Sequence, residues 1–310
     1  MLFGNPKRTA LLLLPFLFLA AGCGGASNPG ALAEAPPSFS SPTVLVPEAS
    51  GEEVFDVSPM HLDISHTDMG YLMVFNQSGE ATVNFQLLDP DMVTYSYFIS
   101  PGDYAVIPFS GGSGKYIMLG YVQITGNQYA ALFSREMTVR LQNEFYPYLF
   151  PNQYVNFTPD SEACRLALSM MEPGTVDTEA LSLIYNYVVE HVTYDDYKAA
   201  TVDAGYLPDV DETLETGKGI CFDYAALISA MLRSRNIPCK LQIGYAGATK
   251  HAWIDVYILS KGWINKAIAF DGESWTRLDP TFDSNADESN QDAILSYIGD
   301  GTNYNVQFTR

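Results

Sequence analysis

Between residues 54 and 141 the chain is cut into short apolar runs, YLMVFN, ATVNFQLL, VTYSYFI, YAVIPF, KYIMLGYVQI and QYAALFSREMTVRL, by the turn sequences NQSG, DPD, SPGD, SGGSG and TGN. Val83, Phe85 and Leu87 recur at every second position, and so do Tyr95, Tyr97 and Ile99. A period of two sends successive side chains to opposite faces of a strand, so these segments bury one face and show the other. Runs this short, joined by Gly, Pro, Asn and Asp, predict antiparallel pairing. The expected product is an all-β, sandwich-like domain over residues 54–142, with its tyrosines serving core and cross-strand packing.

After the connector NEFYPYLFPNQYVNF the texture changes to helical spacing. Thr158 is placed to cap a helix with Pro159 at its first position, running through DSEACRLALSMM. A second helix begins near Asp177 and Thr178, where Leu181, Ile184, Tyr185, Val188 and Val189 share one face. A third follows in GKGICFDYAALISAMLRSRNIP, residues 217–238, where Tyr224, Leu227, Ile228, Met231 and Leu232 form an apolar stripe. Arg233 and Arg235 suit the negative end of its dipole, Asn236 suits its C-terminal cap, and Pro238 blocks continuation. Strand-like KLQIGY, HAWIDVYIL, KGWINKAIAF and SWTRLDPTF come next. Helices followed by strands indicate an α+β domain over residues 143–310.

Cys221 opens the third helix. There the dipole and the unpaired backbone N–H groups are expected to lower a thiol pKa, and the same N–H groups can hold an oxyanion. Gly217 and Gly219 read as clearance around the sulfur. A small apolar residue beginning a core helix explains the position equally well, so the helix alone does not decide. Two later residues bear on it. His251 opens HAWIDVYIL, with Trp253, Asp255 and Tyr257 alternating on its side, and Asp279 ends a strand-like run ahead of Pro280. An imidazole can take the thiol proton, and a carboxylate on its other nitrogen fixes tautomer and orientation.

GKGICFDYAALISAMLRSRNIPCK, IGYAGATKHAWIDVYIL and WTRLDPTF, in that order, resemble the transglutaminase-like superfamily over about residues 150–285, as does the lead-in DAGYLPDVDETLETGKG. The resemblance implies a papain-like α+β core with Cys221 as nucleophile, His251 as base and Asp279 as orienting residue. It also implies an upstream side chain that helps hold the oxyanion, for which Tyr194, Tyr197 and Tyr206 are the candidates. The chain departs from the usual pattern at Cys239, where such sequences often carry Ala. The implied reaction is acyl transfer from a peptide or protein amide through a thioester, resolved by water or by an amine, and it calls for no cofactor. Crosslinking, amide hydrolysis and proteolysis share that machinery.

The N-terminus reads MLFGNPKRTALLLLPFLFLAAGC. Lys7 and Arg8 precede an apolar run from Ala10 to Ala21, too short to span a bilayer comfortably, and small residues then lead to Cys23. This resembles a bacterial lipoprotein signal, with residues 1–22 removed, Cys23 lipidated and residues 23–53 a Pro-, Ala-, Gly- and Ser-rich tether. The expected location is the outer side of the cell membrane. Removing Lys7 and Arg8 with the leader would change the formal charge from −20 to −22, because residues 1–22 contain no acidic residue. With 36 acidic against 16 basic side chains the chain repels nucleic acid, which is not expected as a partner. Cys164, Cys221 and Cys239 are odd in number, so at least one thiol stays free; Cys164 with Cys239 is the pair to examine.

Other motifs fall short. SGGSGKY at residues 110–116 has Phe109 where a phosphate loop needs its first Gly, and reads as a hairpin turn. The segment from Asp283 has Glu288 and Ile294 at the Gly and bidentate Glu positions of a calcium loop. His61 and His66 lack companions at zinc spacing, so no metal is expected. Asp209, Asp211 and Glu212 read as solvated loop charges. Two rivals to an enzyme are a surface binding or adhesion lipoprotein that keeps the fold without turnover and a transport substrate-binding lipoprotein. The antiparallel first half disfavours the latter.

Overall fold

The structure is a computed structural model that describes residues 44–270, 275–277 and 304–310. The described first half is made of β1 (Val54–Val57), β2 (Met60–Asp63), β3 (Tyr71–Asn76), β4 (Val83–Leu88), β5 (Thr94–Ile99), β6 (Tyr104–Pro108), β7 (Gly114–Thr125) and β8 (Gln128–Val139). They pair antiparallel as two sheets, β1-β2-β3-β6 and β5-β4-β7-β8. Val83, Phe85 and Leu87 with Tyr95, Tyr97 and Ile99 are all buried, facing Leu62, Leu72, Val74 and Ile107 of the other sheet. The alternation thus builds the expected β-sandwich. The SGGSG loop differs from expectation. Strands β6 and β7 lie in different sheets, so the loop crosses between layers instead of closing a hairpin, with Gly112 at φ +77°.

Residues 44–53 fall within the segment read as tether, and they hold to the sandwich by backbone hydrogen bonds. Glu48 N donates to the Tyr71 hydroxyl at 3.0 Å, Gly51 N to Asp63 at 2.6 Å and Glu53 N to Ser65 at 2.8 Å.

The second half begins with α1 (Glu162–Ser169), α2 (Asp177–His191), β9 (Thr193–Tyr194), α3 (Asp196–Thr201), α4 (Val210–Thr216), β10 (Lys218–Gly219) and α5 (Cys221–Arg233). There follow β11 (Cys239–Ala246), β12 (Thr249–Ile258), β13 (Gly262–Phe270), β14 (Trp275–Arg277) and β15 (Tyr304–Thr309), an antiparallel sheet of order β14-β13-β12-β11-β15. The result is the α+β class expected. Strand β15 was not anticipated, although YNVQFT alternates.

Helix α1 starts after Ser161, not at Thr158. Thr158 N donates to Ser161 Oγ at 3.1 Å and Ser161 N to Thr158 O at 3.1 Å, which closes a turn before the helix. The acidic residues read as loop charges have local duties. Asp209 accepts from Asp211 N and Glu212 N, both at 3.0 Å, capping α4, and Asp211 accepts from Ala163 N at 3.0 Å in the first turn of α1.

Helix α5 is buried from Asp223 to Arg233, with α1, α2 and α4 on one side and β11 and β12 on the other. The apolar stripe is there, but the buried surface goes all round and takes in Ser229 and Arg233. The end of α5 is a Schellman turn: Asn236 sits at φ +57°, Ile237 N donates to Leu232 O at 3.1 Å and Asn236 N to Arg233 O at 2.9 Å. Arg233 does not reach solvent. Its guanidinium, fully buried, donates to the carbonyls of Cys239 at 3.0 and 2.8 Å, Phe150 at 2.9 Å and Arg310 at 2.8 Å. Burial lowers its pKa to about 10.

The two halves are joined by aromatic residues. Arg310 donates to the hydroxyls of Tyr97 at 2.7 Å and Tyr154 at 3.2 Å, with its guanidinium 4.6 Å from the Tyr95 ring centre and 4.0 Å from that of Tyr154. In the connector, Phe145 packs 4.3 Å from the ring of Tyr257 on β12. Among the described residues no helix is long and apolar enough to cross a membrane.

Replacing Arg233 with Leu would leave three buried carbonyls short of a donor. We expect Arg233→Leu to lower unfolding free energy by about 2–4 kcal/mol, read from the urea midpoint at unchanged slope.

Candidate functional site

Cys221 stands at the first position of α5 and is half-buried. The backbone N–H groups of Ala252 on β12, of Phe222 and of Cys221 itself act on the thiol to favour its ionised form. Burial nevertheless outweighs these donors and, with the Asp223 carboxylate adding to it, pushes the thiol above its ordinary pKa. The helix start therefore supplies the N–H groups expected of it but does not lower the pKa as expected, because α5 begins inside the protein.

The glycines ahead of the cysteine have other tasks than clearing the sulfur. Gly217, at φ +60°, ends α4 in the left-handed conformation, its N–H on Thr213 O at 3.1 Å. A Cβ on Gly219 would stand 2.7 Å from the Cβ of Asp223. Gly219 thus makes room for Asp223, whose carboxylate accepts from Ile220 N at 2.7 Å. This is the acidic half of a capping box, since Ile220 has no side-chain oxygen to complete it.

Asp223 is completely buried and carries two further partners. Tyr206 Oη donates to Oδ1 at 2.5 Å, and Lys198 Nζ lies 2.9 Å from Oδ2 and 4.5 Å from the centre of the Tyr206 ring. Sequence reasoning passed over Asp223 and Lys198. An acidic residue at the third helical position is a readable signal for the first; nothing local marks the second, which arrives from α3.

His251 is buried on β12, opposite Gly244 of β11 and next in the chain to Ala252, whose N–H meets the thiol. Its ring is stacked 6.2 Å from Trp253 and lies 6.3 Å from Tyr304 of β15. Asp279 and Cys23 lie outside the described residues, as does the segment from Asp283 to Ile294. The tyrosines separate. Tyr194, on β9, has its pKa raised by burial and then by the charge of Cys221. Tyr206 is raised to about 12 by burial and by Asp223. Tyr197 is 79% exposed. Cys164 and Cys239 are free and buried, the latter with Sγ 3.3 Å from Ser229 Oγ; burial pushes their pKa values to about 11 and about 12. A cavity of about 650 Å³ beside Phe98, Tyr104, Asn156 and Leu207 takes in neither Cys221 nor His251. Among the described residues no group of His, Cys, Asp and Glu is arranged to hold a metal ion.

Residues 165–280 match the family described as the transglutaminase-like superfamily. The chain carries a transglutaminase-like domain. Its matched span includes Cys221, His251 and Asp279, and the match points to a cysteine-dependent catalytic fold. No curated protein matches the chain. Among solved structures, a proposed cysteine protease from Cytophaga hutchinsonii is 17% identical, covering 65% of this chain and 71% of that one at a TM-score of 0.34. A proposed protease from Parabacteroides distasonis is 11% identical, covering 66% and 62% at a TM-score of 0.29. Both superpositions are too low-scoring to bear an argument, and the assignment of the domain stands on the family match.

Burial orders the three thiols. Iodoacetamide is expected to alkylate Cys221 faster than Cys164 or Cys239 in the native protein, with a rate that climbs with pH through a midpoint above that of free cysteine. Peptide mass spectrometry across a pH series measures both; a midpoint below about 8.5 would mean that a neighbouring positive charge overrides burial.

Proposed function

We propose that this protein is a cysteine-dependent acyltransferase or amidase acting on peptide or protein amides at the outer side of the cell membrane. The observation that carries this reading is the half-buried thiol at the start of α5, held by backbone N–H groups of α5 and β12 within a span that matches the transglutaminase-like superfamily.

In this reading His251 takes the proton of Cys221, and the thiolate attacks the amide carbonyl carbon to form a C–S bond. The oxyanion is held by the backbone N–H of Cys221 and a tyrosine, for which Tyr194 has the best claim by its electrostatic contact with the thiol. Collapse breaks the C–N bond, and the amine leaves with the proton held on His251. Water or a second amine then attacks the thioester, giving hydrolysis or crosslinking. Asp279 orients the imidazole.

Incubating the mature protein with a library of thiol-reactive acyl peptides should yield one acyl group bound at Cys221, identified by mass spectrometry. Cys221→Ala should abolish capture, and His251→Asn should slow it by about 10²–10⁴-fold. Capture that persists in Cys221→Ala would refute the assignment. One observation favours the rival reading of a binding module without turnover: the raised thiol pKa leaves less thiolate at neutral pH. That rival gains if Cys221→Ala binds its target normally and causes no loss in cells.

The location rests on the leader sequence. Metabolic labelling with a tagged fatty acid is expected to mark the protein and to be lost in Cys23→Ala; retained labelling would place the lipid elsewhere.

A further inference from the structure

The Asp223 carboxylate is a charge that the site would be expected to avoid. It lies two residues beyond Cys221 in the first turn of α5, has no exposed surface, and its field opposes formation of a thiolate. It is kept because Ile220 N at the buried helix start needs an acceptor. Its remaining bonds come from across the fold. Lys198, on α3, reaches Oδ2 at 2.9 Å, and Tyr206, in the loop between α3 and α4, donates to Oδ1 at 2.5 Å. The two are coupled to each other, with the ammonium 4.5 Å from the Tyr206 ring centre, and that ring lies 6.3 Å from Phe222, the residue after Cys221.

We propose that Lys198 and Tyr206 are positioning residues that neutralise the buried Asp223 carboxylate and so let the helix keep its N-terminal acceptor while limiting how far that carboxylate suppresses ionisation of Cys221. The functional meaning rests on the reading of Cys221 as nucleophile. The positive charge on Lys198, 2.9 Å from Oδ2, opposes the negative field of that carboxylate, while the Tyr206 hydroxyl spreads the carboxylate charge. Burial works against the ammonium, but its bonds to Tyr206 and Asp223 raise its pKa above the ordinary value, so it stays charged through the pH range in which a thiol titrates. Among the described residues, the titratable groups near the thiol or its Asp223 neighbour are Asp223 on α5, Lys198 and Tyr206 from the α3 side, Tyr194 with Asp196 nearby, and His251 beside Ala252 on β12. Of these groups, Lys198 is the ammonium paired directly with the Asp223 carboxylate.

The test is the pH dependence of iodoacetamide alkylation at Cys221 in the full chain, with folding checked by circular dichroism. Lys198→Met should move the midpoint upward by roughly one pH unit, which is about a tenfold slower reaction at neutral pH. Lys198→Arg should keep the original midpoint. Tyr206→Phe, which retains the ring against Phe222, should give a smaller upward shift, and it carries the test if Lys198→Met does not fold. Folded variants that lose thermal stability with an unchanged midpoint would overturn the proposal, because a purely structural role predicts that result. Alkylation needs no substrate, so the shift can appear even if acyl capture fails, and the two readings fail separately.

Discussion

A helix buried at both ends has to satisfy its terminal backbone groups from within the protein, and α5 imposes that demand on the rest of this chain. Its first turn draws in Asp223 to accept from Ile220 N, and its last places Arg233 against the carbonyls of Phe150, Cys239 and Arg310. Each is a charge taken fully out of water. The two are met differently. Asp223 has a cation in Lys198, whereas the Arg233 guanidinium is held by carbonyl dipoles and is left with a lowered pKa. The carbonyls chosen by Arg233 belong to the connector, to β11 and to the residue after β15, so one side chain ties the sandwich connector to the two neighbouring strands at one edge of the sheet.

The junction between the halves follows from the same placement. Residue 310 is drawn to Arg233 by its carbonyl and to the sandwich by its guanidinium, which rests among Tyr95, Tyr97 and Tyr154. Tyrosines that alternation assigned to the sandwich core thus also form a cation–π seat for the last strand. Tyr154 lies in turn 6.2 Å from Phe222, so the same aromatic contacts extend to the residue beside Cys221.

At the candidate site, burial and helix position act in opposite directions on one thiol. The dipole argument assumes an N-terminus near solvent, where desolvation is small. Here the start of α5 lies against β10, β12 and the loop bearing Tyr206, and the desolvation cost outweighs the backbone N–H groups that favour the thiolate. A nucleophile in such a place depends on its neighbours for ionisation, which gives weight to Lys198 on one side and to His251 on the other.

Local pattern was enough to specify much of this protein. Period-two runs at Val83–Leu87 and Tyr95–Ile99 set which residues face the sandwich core, and the 3.6-residue spacing of Tyr224 to Leu232, with Asn236 and Pro238 beyond, set helix α5 and its end, because these depend on side-chain direction within a few residues. The order of Cys221, His251 and the Asp279 motif was enough to suggest the superfamily. Tertiary structure alone decided the rest. Partners distant in sequence make Arg233 a clamp on Phe150 and Arg310 instead of only a charge at the helix end, bring Lys198 to the Asp223 carboxylate, and add β15 beside β11. No short window of sequence contains both members of those pairs, and their energies come from burial, which exists only once the chain has closed around α5.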